Sequence, residues 1–152
     1  MKFLGLRLCD HDSNITLTVD NKIYYYKCER DAQIKHWGYK NLTGWLKPFM
    51  KWGVPLSEID AIGIVVDCFR YNSINYDEKN IFEEINIPLF RDMGYKGPIY
   101  RIDHHYAHAE SAWMLTDKSD MDFVFDGFGD NKLSHSRIGL LYPYDPAHQL
   151  TL

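Results

Sequence analysis

Long apolar runs are missing from this 152-residue chain. No stretch approaches the roughly 18 apolar residues that a membrane-spanning helix needs. Met1-Lys-Phe-Leu-Gly-Leu is too short for a secretory signal core and soon meets Arg7, Asp10 and Asp12. Basic clusters are missing as well. The net charge is −4, from 17 Lys and Arg against 21 Asp and Glu, without the cationic patch that neutralises nucleic-acid phosphates. Cysteine is scarce: Cys9, Cys28 and Cys68 are odd in number and show no CxxC spacing. That speaks against a disulfide framework and against a zinc knuckle. There is no internal repeat and no low-complexity segment. Together these absences describe a cytoplasmic protein with neither a membrane nor a nucleic acid as partner.

Aromatic residues, by contrast, are plentiful at 15%, with eleven Tyr and four Trp. Such content suits a strand-rich core or a surface that meets a partner. The length matches about one domain with a core large enough to fold.

Strands come first along the chain. Phe3–Cys9 is mostly apolar, Ile15–Val19 alternates apolar residues with Thr, and Ile23–Cys28 is rich in Tyr. Asp20-Asn21 between the last two signals a hairpin turn. Three strands without an intervening helix imply an antiparallel meander. Leu42–Trp52 then carries Leu42, Trp45, Leu46, Phe49 and Met50 at helical spacing, with Gly53 as a cap. Ile62–Val66 reads as a buried strand and residues 70–94 as irregular. Gly97-Pro98 precedes a strand over Ile99–Ile102, a helix over Ala107–Leu115 and strands over Asp122–Phe125 and Ile138–Tyr142. The order is β-β-β-α-β-(α)-β-α, then β-turn-β. This is the plan of an α/β ribonuclease-H-like half of the actin, sugar kinase and Hsp70 superfamily, a mixed sheet with three leading antiparallel strands. In that fold the turn after the first strand holds phosphate. Here that turn is Cys9-Asp10-His11-Asp12-Ser13-Asn14; Asp12 and Ser13 suit a phosphate or a metal, and equally suit ordinary hairpin chemistry.

The densest chemistry lies in Asp103-His-His-Tyr-Ala-His-Ala-Glu-Ser-Ala112. His104 and His108 stand four apart at the start of a helix, so their imidazoles share one face and can grip one metal ion. The alternative is a polar helix surface. Shortly after, Phe123-Val-Phe-Asp-Gly-Phe-Gly-Asp130 ends an apolar strand in Asp126, Gly127, Gly129 and Asp130. A carboxylate and two glycines at a strand end bring a ligand against the backbone; alone, Asp126-Gly127 is also a turn between strands.

Four segments in order resemble the carbamoyltransferases of the nodulation-protein and tobramycin-biosynthesis type, whose catalytic domain is related to the threonylcarbamoyl-transfer protein of tRNA modification. They are Gly5…His11-Asp12-Ser13, then Glu29-Arg30 followed by Lys35-His36, then Asp103-His104-His105…His108-Ala109…Ser111-Ala112, and finally Asp126-Gly127…Gly129-Asp130. The family's usual Glu-Glu-Arg stands here as Cys28-Glu29-Arg30. The resemblance implies an enzyme that uses carbamoyl phosphate and ATP to form a carbamoyl-adenylate and passes the carbamoyl group to a hydroxyl of a sugar or other small molecule. It implies a divalent metal on His104, His108 and Asp126, with iron first and zinc or manganese as alternatives. His11, Lys35 and His36 match catalytic positions near the carbamoyl and phosphate groups, and Asp12, Ser13, Gly127 and Gly129 match nucleotide- and phosphate-binding positions. From the residues alone, Lys35 is equally a solvated surface Lys, and Glu29-Arg30 equally a structural ion pair.

Such enzymes are several times longer. The resemblance therefore covers an N-terminal part, with residues 1–118 as a first subdomain and 119–152 as the truncated start of a second. The implied partners are the hydroxyl acceptor, a missing C-terminal half or complementing chain, and a second copy meeting an open strand edge. The competing reading is a non-catalytic fragment or partner-binding module on the same fold. A sugar-kinase-like phosphotransferase is a third, against which the paired histidines speak.

Overall fold

The computed structural model describes residues 1–8, 12–39, 41–65, 81–113, 122–125 and 136–139. They fall in two compact units, Met1–Ile102 and Asp103–Leu152.

In the first unit, period-two alternation builds the sheet. β1 (Lys2–Arg7) alternates the buried Leu4 and Leu6 with Phe3, Gly5 and Arg7. β2 (Asn14–Val19) buries Ile15 and Leu17, and β3 (Lys22–Lys27) turns Tyr24 and Tyr26 the same way. β1 pairs antiparallel with β2, and β2 with β3. Asp20 sits in the left-handed region (φ 52°) at the hairpin turn, which a short polar residue tolerates better than most. β4 (Ala61–Val65) and β5 (Ile99–Ile102) then add in parallel beside β1. The sheet order is β3-β2-β1-β4-β5, the mixed sheet that the element order predicts. Asp60 anchors the parallel junction, donating its N–H to the Lys2 carbonyl (2.8 Å) and accepting the Lys2 N–H on Oδ2 (2.7 Å).

The inner sheet face carries the core. Leu4, Leu17, Ile62 and Ile64 pack in one cluster with Trp45, Phe49, Ile81 and Phe90. The Trp45 ring lies 5.6 Å from Phe49 and 5.3 Å from Phe90, centroid to centroid. Each fully buried side chain of this size contributes about 1.5–3 kcal/mol.

Helical segments depart most from the sequence pattern. Residues Cys28–Ala32 form a short helix, α1, directly after β3. α2 spans only Leu46–Lys51, because residues 42–45 form turns; Gly53 (φ 69°) ends it as expected, with its N–H on the Met50 carbonyl. A single 3-10 turn, Leu56–Glu58, leads into β4. Part of the stretch expected to be irregular is helical: a π-helical turn, Phe82–Asn86, runs into α3 (Ile87–Asp92). Pro88 explains the wide turn. It has no N–H to give, and its ring would meet the carbonyl four residues earlier, so widening relieves both. Arg91 then fixes the exit, donating from Nη1 to the Tyr95 and Gly97 carbonyls (2.9 and 2.8 Å).

The outer sheet face is different. Register aligns Ile23, Thr18, Phe3 and Ala61 in one row and Tyr25, Thr16, Gly5, Gly63 and Tyr100 in the next. Small residues floor a groove of about 420 Å³ flanked by Phe3 and Tyr100, and Phe3, Ile23, Tyr25 and Tyr100 are all exposed.

The second unit contains α4 (His104–Trp113) and an antiparallel pair, β6 (Asp122–Phe125) with β7 (Ser136–Gly139). α4 starts three residues before the expected helix. The expected strand Ile138–Tyr142 overlaps β7 at its first two residues, and the rest of it lies outside the described residues.

Candidate functional site

In the second unit, Asp103 caps α4. Its Oδ1 accepts the Tyr106 N–H (2.8 Å) and its carbonyl accepts the Ala107 N–H (2.9 Å), and a carboxylate at a helix N-terminus also meets the positive end of the dipole. The cap sets the phase of the helix, and the four-residue spacing does the rest. His104 is buried and His108 exposed, and their Nε2 atoms face one another 3.2 Å apart. The rings meet edge to face at 79°. Ser111 reinforces this turn by donating its hydroxyl to the His108 carbonyl (2.7 Å).

Two arrangements suit that separation. One imidazole donates to the other, or both lone pairs turn toward one cation. Nitrogens held about 2.0–2.1 Å from a transition metal stand ~2.9 Å apart at right angles and ~3.3 Å apart at the tetrahedral angle. The observed 3.2 Å fits as one edge of such a shell. The third expected ligand, Asp126, lies outside the described residues, as do Gly127, Gly129 and His11. Among the described residues no group of three His, Cys, Asp or Glu gathers to hold a metal.

Asp12, Glu29 and the backbone of His36 come together in the first unit, around a residue that the sequence reading passed over, with Ser13 bonded beside them. Lys27, at the end of β3, places Nζ 2.7 Å from Asp12 Oδ1 and 2.8 Å from Glu29 Oε1. The other Glu29 oxygen, Oε2, accepts the His36 N–H (3.0 Å). Ser13 is fully buried; its hydroxyl oxygen accepts the Tyr39 N–H (3.1 Å) and its carbonyl accepts the Cys28 N–H (2.9 Å). With the Ile34 N–H on the Glu29 carbonyl (3.2 Å), the chain from 33 to 39 is fastened near its start, at His36 and at Tyr39, and Lys35 and His36 are exposed on it. Hydrogen bonds to Asp12 and Glu29 raise the Lys27 pKa, and the bond to Lys27, then the one from the His36 N–H, lower that of Glu29.

Backbone strain gathers here too. Asp12 (φ 62°), Gln33 (φ 56°) and His36 (φ 59°) all occupy the left-handed region, at a cost of roughly 1–2 kcal/mol for each non-glycine residue. Such strain persists where surrounding bonds over-determine the backbone. Gly44 completes the support: a Cβ there would stand 2.9 Å from the Tyr39 ring, so only glycine admits that ring. No periodic signal marks Lys27; its place follows from the Asn14↔Lys27 register.

No known family's profile matches the chain, and no curated protein does. Solved structures do. An uncharacterized protein with similarity to peptidase YeaZ from Pseudomonas aeruginosa matches with a TM-score of 0.52 at 12% identity, over 96% of this chain and 71% of its own. YeaZ from Pseudomonas aeruginosa matches at 0.50 and 11%, over 97% of this chain and 73% of its own. At such identities the likeness shows the fold. The chain has the α/β fold of the actin, sugar kinase and Hsp70 type, with three antiparallel and two parallel strands in its main sheet.

Proposed function

We propose that this chain is the metal- and phosphate-binding N-terminal portion of an O-carbamoyltransferase, which moves a carbamoyl group from carbamoyl phosphate, through an ATP-dependent carbamoyl-adenylate, to a hydroxyl of a small molecule. One observation carries the reading: the 3.2 Å approach of the His104 and His108 Nε2 atoms on the capped first turns of α4. The four ordered motifs support it. The fold agrees with it, being the α/β fold that the resemblance implies.

In this reading His104, His108 and Asp126 hold a divalent metal; imidazole and carboxylate donors suit iron, zinc or manganese, and the resemblance implies iron first. When bound, the metal supplies Lewis acidity and a template for phosphate oxygens. Lys35 contributes a point charge to the phosphate, while His11 and His36 orient the carbamoyl group. Asp12, Ser13, Gly127 and Gly129 shape the phosphate-binding turns. The domain boundary near residue 118, the cytoplasmic setting and the need for a complementing C-terminal portion belong to the same proposal.

A second reading, a partner-binding module without activity of its own, draws on the exposed apolar residues of the outer sheet face, since such patches mark interaction surfaces. Titration of carbamoyl phosphate followed by phosphorus NMR separates the two. The first reading expects binding that strengthens when Fe²⁺ or Mn²⁺ is added and loses that gain in His104→Ala plus His108→Ala. No binding with or without metal would favour the second.

A further inference from the structure

We propose that Glu29 and Lys27 are positioning residues that hold the segment 33–39 in the one conformation able to present Lys35 and His36 to a phosphate-bearing ligand. The inference rests on the reading of those two as ligand contacts, and adds to it the residues that set their place.

Lys27 joins the loop after β1, through Asp12, to the start of α1, through Glu29, at 2.7 and 2.8 Å. Glu29 is the pivot: Oε1 takes the ammonium and Oε2 takes the His36 N–H at 3.0 Å. Its own carbonyl accepts the Ile34 N–H (3.2 Å), so one residue ties the segment twice. The Oε2 bond helps hold His36 at φ 59°, a region that histidine tolerates better than most side chains but that still strains a residue with a Cβ. On the far side the buried Ser13 hydroxyl oxygen takes the Tyr39 N–H at 3.1 Å. Between the two ties Lys35 and His36 are exposed. A loop held in a strained conformation by a charged pivot is preorganised; releasing it would make a ligand supply the ordering itself.

The experiment uses the 152-residue chain and compares wild type with Glu29→Ala, Glu29→Gln, Lys27→Met, Lys27→Arg and Lys35→Ala. Amide exchange at His36 and titration with carbamoyl phosphate are read together, and thermal unfolding reports whether each variant stays folded. In Glu29→Ala and Lys27→Met the His36 amide is expected to exchange faster and carbamoyl phosphate to bind about tenfold more weakly, the cost of reordering roughly one residue. Glu29→Gln, which keeps an acceptor for the N–H, and Lys27→Arg, which keeps a cation between the carboxylates, are expected to recover most of both. Lys35→Ala should weaken binding while leaving His36 exchange unchanged. Binding that is lost in Lys35→Ala but untouched in folded Glu29→Ala overturns this inference alone. Wild type that binds no carbamoyl phosphate overturns the reading of Lys35 and His36 as contacts, and the inference with it.

Discussion

Replacing Phe3 and Tyr100 together by serine is expected to abolish a weak self-association of the chain. The residues Phe3, Ile23, Tyr25 and Tyr100 on the outer sheet face are 40%, 61%, 51% and 42% exposed. Taking about 200 Å² for each side chain, they show roughly 400 Å² of mostly apolar surface to water. Two such faces in contact would bury roughly 800 Å², below the ~1,200 Å² at which stable specific interfaces begin. Wild type should therefore pair only weakly, with a Kd above about 10 μM. Phe3 and Tyr100 supply roughly 170 Å² of the face, or ~4 kcal/mol per copy as an upper bound. Over both copies that is ~8 kcal/mol, more than the roughly 7 kcal/mol that a Kd of about 10 μM represents, so sedimentation should show the double variant as a monomer at concentrations where wild type associates. Wild type that stays monomeric in the millimolar range, or a double variant that associates equally well, would refute the reasoning.

Three further outcomes are expected. Gly44→Ala places a Cβ 2.9 Å from Tyr39, so it should cost about 1–3 kcal/mol in denaturant unfolding; an unchanged midpoint would mean that the ring moves freely. Burial and then the Asp31 carboxylate push the Tyr26 hydroxyl up to about 12, and burial raises Tyr39 as well. Because both folded values are raised, their stabilisation is complete below the ordinary tyrosine pKa of about 10 and lost as pH climbs through the folded values. Phenolate absorbance should show late-titrating tyrosines, and all eleven tyrosines titrating together near 10 in the folded chain would contradict this. Finally, the adenine site and second domain of the resembled enzymes are not matched in these residues, so the chain alone should release no phosphate from carbamoyl phosphate with ATP present; clear turnover in a phosphate-release assay would count against that.

Much of the sheet was legible because alternation is a local signal. Leu4 and Leu6, Ile15 and Leu17, and Ile62 and Ile64 each mark their strand's buried face, and Asp20 turns where Asp20-Asn21 predicted. The histidine pair was equally legible, since four residues of helix place both rings on one face whatever surrounds them. The helix over Phe82–Asp92 was not. Ile81, Ile85, Leu89 and Met93 recur every four residues through a π turn, and Pro88 in their midst reads as a break. Nor was the Lys27 cluster, because Asp12, Lys27, Glu29 and His36 meet through strand register and left-handed backbone, which leave no periodic trace.

The metal role of the histidine pair is tested by calorimetric titration of Fe²⁺, Mn²⁺ and Zn²⁺ into wild type and into His104→Ala plus His108→Ala. Two imidazole nitrogens 3.2 Å apart predict saturable one-to-one binding of at least one of these ions by wild type, and an affinity lower by tenfold or more in the variant. Indistinguishable isotherms for the two proteins would contradict it.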